Sequence, residues 1–221
     1  MRLLREGTET MNKFVTAVLT TLLFSSCAYN KGVDGGLHMF KVRSDEFCES
    51  LTEEHEGGWY IGGRRRMQSG LAGLSVSELS VYKKMQGVHV VGIAEWGLAF
   101  SDSVERIWVD DGVKIFAAAF AWNENLKELR LPADLTEIPV GLCSNCVSLN
   151  DIAIPNAVKR ICQSAFYGTG LVEVHVPESV TEIEENAFFE CRNLRRVSLP
   201  KHVAIADNAF EGCDNIVFEI R

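Results

Sequence analysis

Apolar positions return in register along residues 86–221 with a period of about 22 residues, and every period repeats one internal order of apolar and polar sites. The clearest copy is VPESVTEIEENAFFECRNLRRVSLP, from Val176 to Pro200. Each copy opens at one column, Gln86, Val109, Leu131, Ile154, Val176 and Leu199, with proline next in the last four as Pro132, Pro155, Pro177 and Pro200. Two further columns follow, Val90 to Val203 and Ile93 to Ile205. An Ala-Phe pair comes next at Ala119-Phe120, Ala165-Phe166, Ala187-Phe188 and Ala209-Phe210, with Gly97-Leu98 and Leu142-Cys143 standing in. An apolar-x-x-apolar-x-apolar run closes each copy, as in Leu126, Leu129, Leu131 and Leu194, Val197, Leu199.

The end of that run alternates apolar and polar residues, the period of a half-buried strand. Proline directly after it has no N–H for a ladder and ends the pairing. One strand per copy is therefore expected. No copy can bury its own Ile, Phe and Leu, so neighbours must stack, with parallel strands about 4.8 Å apart. Six copies exceed the about three needed for a continuous core. The predicted fold is an α/β-type solenoid, mostly strand and loop, over residues 86–221.

The string apolar-Pro-x-x-apolar-x-x-Ile-x-x-x-Ala-Phe-x-x-Cys-x-x-Leu-x-x-Val-x-Leu-Pro resembles the leucine-rich repeat subtype of treponemal surface proteins and Bacteroides-type surface antigens. The resemblance implies an arc with the strands on its concave face, irregular or 3₁₀ turns on the convex side, and a role in adhesion or recognition. It brings no catalytic residues and no cofactor.

Ahead of the repeats, residues 11–27 read MNKFVTAVLTTLLFSSC: Lys13, an apolar stretch from Phe14 to Phe24, then small residues, the form of a secretion signal beginning at Met11. The apolar stretch is shorter than the about 20 residues that cross a bilayer. Ser25-Ser26-Cys27 also resembles a bacterial lipoprotein processing site, which implies cleavage before Cys27 and acylation of that cysteine. Simple cleavage nearby and an unprocessed apolar helix are the other readings. Residues 28–36, glycine-rich at their end, would tether the body to the lipid, and residues 37–85 would cap the first coil, since solenoid ends need polar-faced covers. These features place the chain in the cell envelope, lipid-anchored, on the surface or in the periplasm.

Charge narrows the partners. A net charge of −8, with Arg64-Arg65-Arg66 as the only basic run, lacks the electrostatic footprint of nucleic-acid binding. The membrane is met only through the lipid. The partner expected is another protein, host extracellular or from the bacterial envelope.

Seven cysteines include Cys143-x-x-Cys146, a redox or metal spacing in isolation. Their phase points elsewhere: Cys143 stands in the Phe column and Cys146 in the column of Cys191 and Cys213. Core packing, a Cys191 to Cys213 disulfide between neighbouring coils, and zinc or redox chemistry are the three readings, in falling order. The five histidines form no metal-ligand spacing, and no nucleophile elbow or phosphate loop occurs. No enzyme is expected.

Between the inward residues of each strand lie outward ones. They form two columns, Arg106, Glu128, Asp151, Glu173, Arg196, Val217 and Trp108, Arg130, Ala153, His175, Ser198, Glu219. The charged and aromatic members Arg106, Trp108, Glu128, Arg130, Asp151, Glu173, His175 and Arg196 are the candidate binding residues. Trp108 is either exposed there or covered by residues 37–85. At the other end the chain finishes within its last strand, and Ile216, Phe218 and Ile220 are the expected self-association edge, making a homo-oligomer a further possible state.

Overall fold

The computed structural model describes residues 39–41, 59–61, 77–85 and 88–221, and the signal segment, Cys27, the tether and most of residues 37–76 lie outside them. In chain order the strands are β1 (Met39–Lys41), β2 (Trp59–Ile61), β3 (Glu78–Val81), β4 (Lys84–Met85), β5 (Val88–Ile93), β6 (Arg106–Val109), β7 (Lys114–Ile115) and β8 (Glu128–Arg130). They continue with β9 (Glu137–Ile138), β10 (Arg160–Ile161), β11 (Glu173–His175), β12 (Glu182–Ile183), β13 (Arg196–Leu199), β14 (Ala204–Ile205) and β15 (Val217–Ile220). The described residues are strand and loop, with no helical turn among them.

These strands stack as a parallel β-solenoid of about six turns. The closing run of each repeat builds a long-strand face, in which β3, β6 and β8 form one three-stranded sheet and β11, β13 and β15 another. Pairing is parallel and in register, Arg106 beside Glu128 and Val197 beside Phe218. Residues 151–154 carry no assigned strand between the two sheets, yet Ile152 and Ile154 are buried and Asp151 and Ala153 exposed, so the alternation persists. The isoleucine column builds a short-strand face: β5 and β7 pair in parallel, as do β9, β10, β12 and β14.

The parallel ladders begin ahead of residue 86. Within residues 37–85, β3 pairs in register with β6, and β2 pairs with β5. Glu78-Leu79-Ser80-Val81 has the alternation of Arg196-Val197-Ser198-Leu199, with Leu79 and Val81 buried. Only the longer separation of 28 residues between Glu78 and Arg106 hides it in the repeat count.

A third face consists of turns. Here each coil donates backbone N–H groups to the next: Ala118 to Val140, Phe120 to Leu142 and Trp122 to Ser144, at 2.8, 3.0 and 2.8 Å. Two residues per coil take left-handed φ, among them Gly141 and Asn145 (61° each) and Ser164 and Gly168 (55° and 63°). Glycine and asparagine accept that conformation at least cost. In the first coils the same positions hold Trp96, Phe100 and Trp122, at 58°, 60° and 59°. Close stacking also fixes Gly170, where an added Cβ would lie 2.2 Å from the Val147 carbonyl oxygen.

The core runs the length of the stack. Ile107, Val174, Val197 and their column neighbours are buried, as are Ile93, Ile138, Ile161 and Ile183. Phe120, Phe166 and Phe188 are fully buried. Phe188 lies stacked between Phe166 and Phe210, with ring centroids 5.2 and 5.0 Å away.

Beside the phenylalanines stands a column of polar groups. Cys146 Sγ donates to the Phe120 carbonyl at 3.1 Å, Cys191 Sγ to Phe166 at 3.0 Å, and Cys213 Sγ to Phe188 at 2.9 Å. Asn123 occupies the same place two coils from the N-terminal end and donates through Nδ2 to the Leu98 carbonyl at 2.7 Å. Thr169 donates to Phe166 within its own coil. The column therefore selects small side chains that can donate to a backbone carbonyl turned into the core. Cys143, Cys146, Cys162, Cys191 and Cys213 are free thiols.

Burial pushes the Cys143 thiol well above its ordinary value, and burial, then the charges of Glu137 and Glu184, push Cys162 from 9.0 up to about 11. Where the native state keeps a proton that the unfolded chain releases, stability falls as pH rises. For Cys162 that contribution is full below pH 9.0 and lost on passing about 11. The urea midpoint is expected to drop across this window, and to drop less in Cys162→Ala. Parallel profiles for the two proteins would refute the assignment.

Candidate protein-binding face

On the long-strand face the inward residues are fixed by the core, which sets the rest outward at one side-chain row per strand. Ladder register then fixes neighbours. Arg106 lies between two carboxylates, with Nη1 2.5 Å from Glu78 Oε1 and Nε 3.8 Å from Glu128 Oε2. Arg196 is held likewise, 3.0 Å from Glu173 and 3.4 Å from Glu219. Exposed pairs of this kind contribute up to about 1 kcal/mol each. They neutralise most of the face.

What stays unneutralised lies between the two sets. Arg130 is exposed and makes no ion pair with the described residues, and the same holds for Asp151 and His175. Ala153, exposed and small, stands in the coil between Arg130 and His175. Trp108 pairs across the ladder with Ser80 on one side and Arg130 on the other. Its indole Nε1 donates to Glu128 Oε1 at 3.3 Å, and the side chain is half-buried. Ser80 of β3 is thus a small neighbour of Trp108, and most of the segment expected to cover the ring lies outside the described residues.

All eight residues anticipated from the alternation, Arg106, Trp108, Glu128, Arg130, Asp151, Glu173, His175 and Arg196, lie on this face and none is buried. Ser198 of the second column departs from its neighbours: flanked by His175 and Glu219, it is only 9% exposed, a short side chain between longer ones. Val217 is 60% exposed. Glu78 and Ser80 were missed, because their strand falls outside the repeat spacing.

Such an arrangement defines a class: a stacked-coil scaffold whose open strand face offers charged and aromatic side chains and whose core cysteines serve the backbone. The BspA type leucine-rich repeat profile matches residues 100–219 in six copies, more than half of the chain. This chain belongs to that family. Among solved structures it is similar to the leucine-rich repeat protein of T. pallidum, at 27% identity and a TM-score of 0.61 over 82% of this chain and 81% of that one. A leucine-rich repeat protein of Eubacterium ventriosum shares the fold at 21% identity, with a TM-score of 0.51 over 74% and 50% of the two chains. No curated protein matches. Proteins built on these repeats are generally protein-binding modules and typically scaffolds rather than enzymes.

Proposed function

We propose that this chain is a lipid-tethered recognition module, acylated at Cys27 in the cell envelope, whose long-strand face binds a host extracellular protein in adhesion. Trp108 carries the reading. A large apolar side chain, partly exposed beside Arg130, which makes no ion pair with the described residues, joins the two residue types most often found as binding anchors. The neutralised Arg106 and Arg196 would surround them as a polar rim. The signal-like stretch from Lys13 to Phe24 and the Ser25-Ser26-Cys27 site support the tether and, with it, an envelope location.

A pull-down from extracellular-matrix proteins and, separately, from envelope extract, with the full chain immobilised, tests the partner. Trp108→Ala is expected to weaken binding by about 2 kcal/mol or more, roughly thirtyfold. Unchanged affinity would reject the role of the indole. Capture of an envelope protein alone would replace adhesion with an assembly function, and protease treatment of intact cells reports which side of the outer envelope the chain occupies.

A further inference from the structure

Left-handed backbone on the turn face holds residue types that strongly disfavour it. In one column the N–H groups of Phe100, Trp122, Asn145 and Gly168 donate to the next coil, to the carbonyls of Ala121, Ser144, Tyr167 and Phe189 at 3.0, 2.8, 2.7 and 2.8 Å. Their φ angles are 60°, 59°, 61° and 63°. Asparagine and glycine suit that conformation, whereas phenylalanine and tryptophan do not.

Covering the turns does not require the strain. Tyr167 and Phe189 stand one residue earlier in their coils, outside the left-handed region, half-buried and stacked with ring centroids 5.3 Å apart. That earlier place in the first coils holds Ala99 and Ala121, both buried. Moving the aromatic one residue on turns its ring outward: Phe100 is 47% exposed and Trp122 44%. Trp96 stacks on Phe100 at 5.4 Å and 14°, widening the apolar surface. Trp122 has a described coil on each side, so its exposure is set by neighbours both before and after it. Strained backbone of this kind collects at ligand-binding sites.

Charge around these rings has one sign. The turn segments 94–103, 116–125, 139–148 and 162–170 contain Glu95, Asp102 and Glu124 and no lysine, arginine or histidine. Asp102 follows Phe100 by two residues, and Glu124 follows Trp122 by two. Both carboxylates are exposed and make no ion pair with the described residues. An outward aromatic with an acid beside it therefore occurs in two consecutive coils.

We propose that this part of the turn face binds an arginine-bearing segment of a partner protein, guanidinium groups stacking on Trp122 and Phe100 and pairing with Glu124 and Asp102. A cation over an aromatic ring is attracted by the negative face of the ring. Arginine, planar and weakly hydrated, stacks on such a face and still offers N–H groups to a carboxylate at its edge. Complementary charge selects the partner: an acidic segment would be repelled, and an uncharged one would gain nothing from the two acids. The surface is separate from the strand face around Trp108, so it stands or falls independently of binding there.

Fluorescence anisotropy with a short labelled peptide of alternating glycine and arginine, added to the full chain in detergent, tests this. The peptide is expected to bind, and its glycine-glutamate counterpart is not. Trp122→Ala leaves the net charge unchanged and is expected to weaken binding about tenfold. Trp122→Asn installs the residue type that Asn145 presents at the same φ, so the coil is kept, as circular dichroism would register, and the same loss is expected. Glu124→Gln should cost about threefold, and Trp108→Ala should change nothing. Arginine-peptide binding that survives both Trp122 substitutions would be attraction to the overall negative charge, and would overturn the proposal. So would a parent chain that binds only after Arg64, Arg65 and Arg66 are replaced by alanine, since the occupant would then be the chain's own basic run. Absence of binding in every variant would overturn it as well.

Discussion

Phe188→Ala is expected to destabilise the chain by about 3–5 kcal/mol, the range for emptying a fully buried aromatic site. The ring has no exposure and stacks on both sides, so no flexible neighbour can close the gap. A stacked scaffold transmits stability only between adjacent coils. The loss should therefore concentrate in the last two coils, and hydrogen exchange there should accelerate well before the coils around Phe120 respond. Urea unfolding would register a lower midpoint and, if the last coils separate first, a shallower slope. Val172→Ala, at a half-exposed site, serves as the reference, expected within about 0.5 kcal/mol of the parent. Equal losses from the two substitutions would contradict the stacked core.

The second large effect is expected at a polar site. Asn123 is fully buried, its Oδ1 accepting from the Ser101 N–H at 2.7 Å and its Nδ2 donating to the Leu98 carbonyl at 2.7 Å. Asn123→Ala strands both backbone groups, at about 1–3 kcal/mol each. Asn123→Cys restores the donor that other coils use, as Cys146 does toward Phe120, and leaves only the Ser101 N–H without a partner. About half the loss should return. Denaturation of the two variants side by side checks this, and an alanine variant as stable as the cysteine one would show that the carbonyl does not need its donor.

That column illustrates how far the residues alone reach. Cys143 and Cys146 lie in the core, with Cys143 in the phenylalanine column and Cys146 beside Cys191 and Cys213, as their phase in the repeat indicates. Packing alone does not explain why asparagine and threonine share the column with cysteine. The common property is a donor, and the signal was present in Asn123 and Thr169. Its meaning requires knowing that a carbonyl turns inward there, which depends on the left-handed turns and not on side-chain hydrophobicity. The bulky Trp96, Phe100 and Trp122 in left-handed positions were likewise illegible, since those residue types strongly disfavour positive φ.

The binding face divides in the same way. Outward columns follow from alternation by itself, because side chains in a strand point alternately to its two faces. Which of those charges are already neutralised does not follow. Arg106 and Arg196 look like Arg130 in the sequence, and only the neighbours brought alongside by stacking, Glu78 and Glu128 for the first and Glu173 and Glu219 for the second, distinguish them.

Period and alternation, being local and repeated, were sufficient to determine the stacked coil, its buried columns and the family to which the chain belongs. Tertiary structure decided the rest: that β3 joins the ladder ahead of the counted repeats, which arginines meet a carboxylate in a neighbouring coil, and what the cysteines hold. The division has a physical cause. Burying an apolar side chain needs only that some neighbour cover it, whereas a hydrogen bond or an ion pair needs one particular atom within about 3 Å, and that atom belongs to another coil.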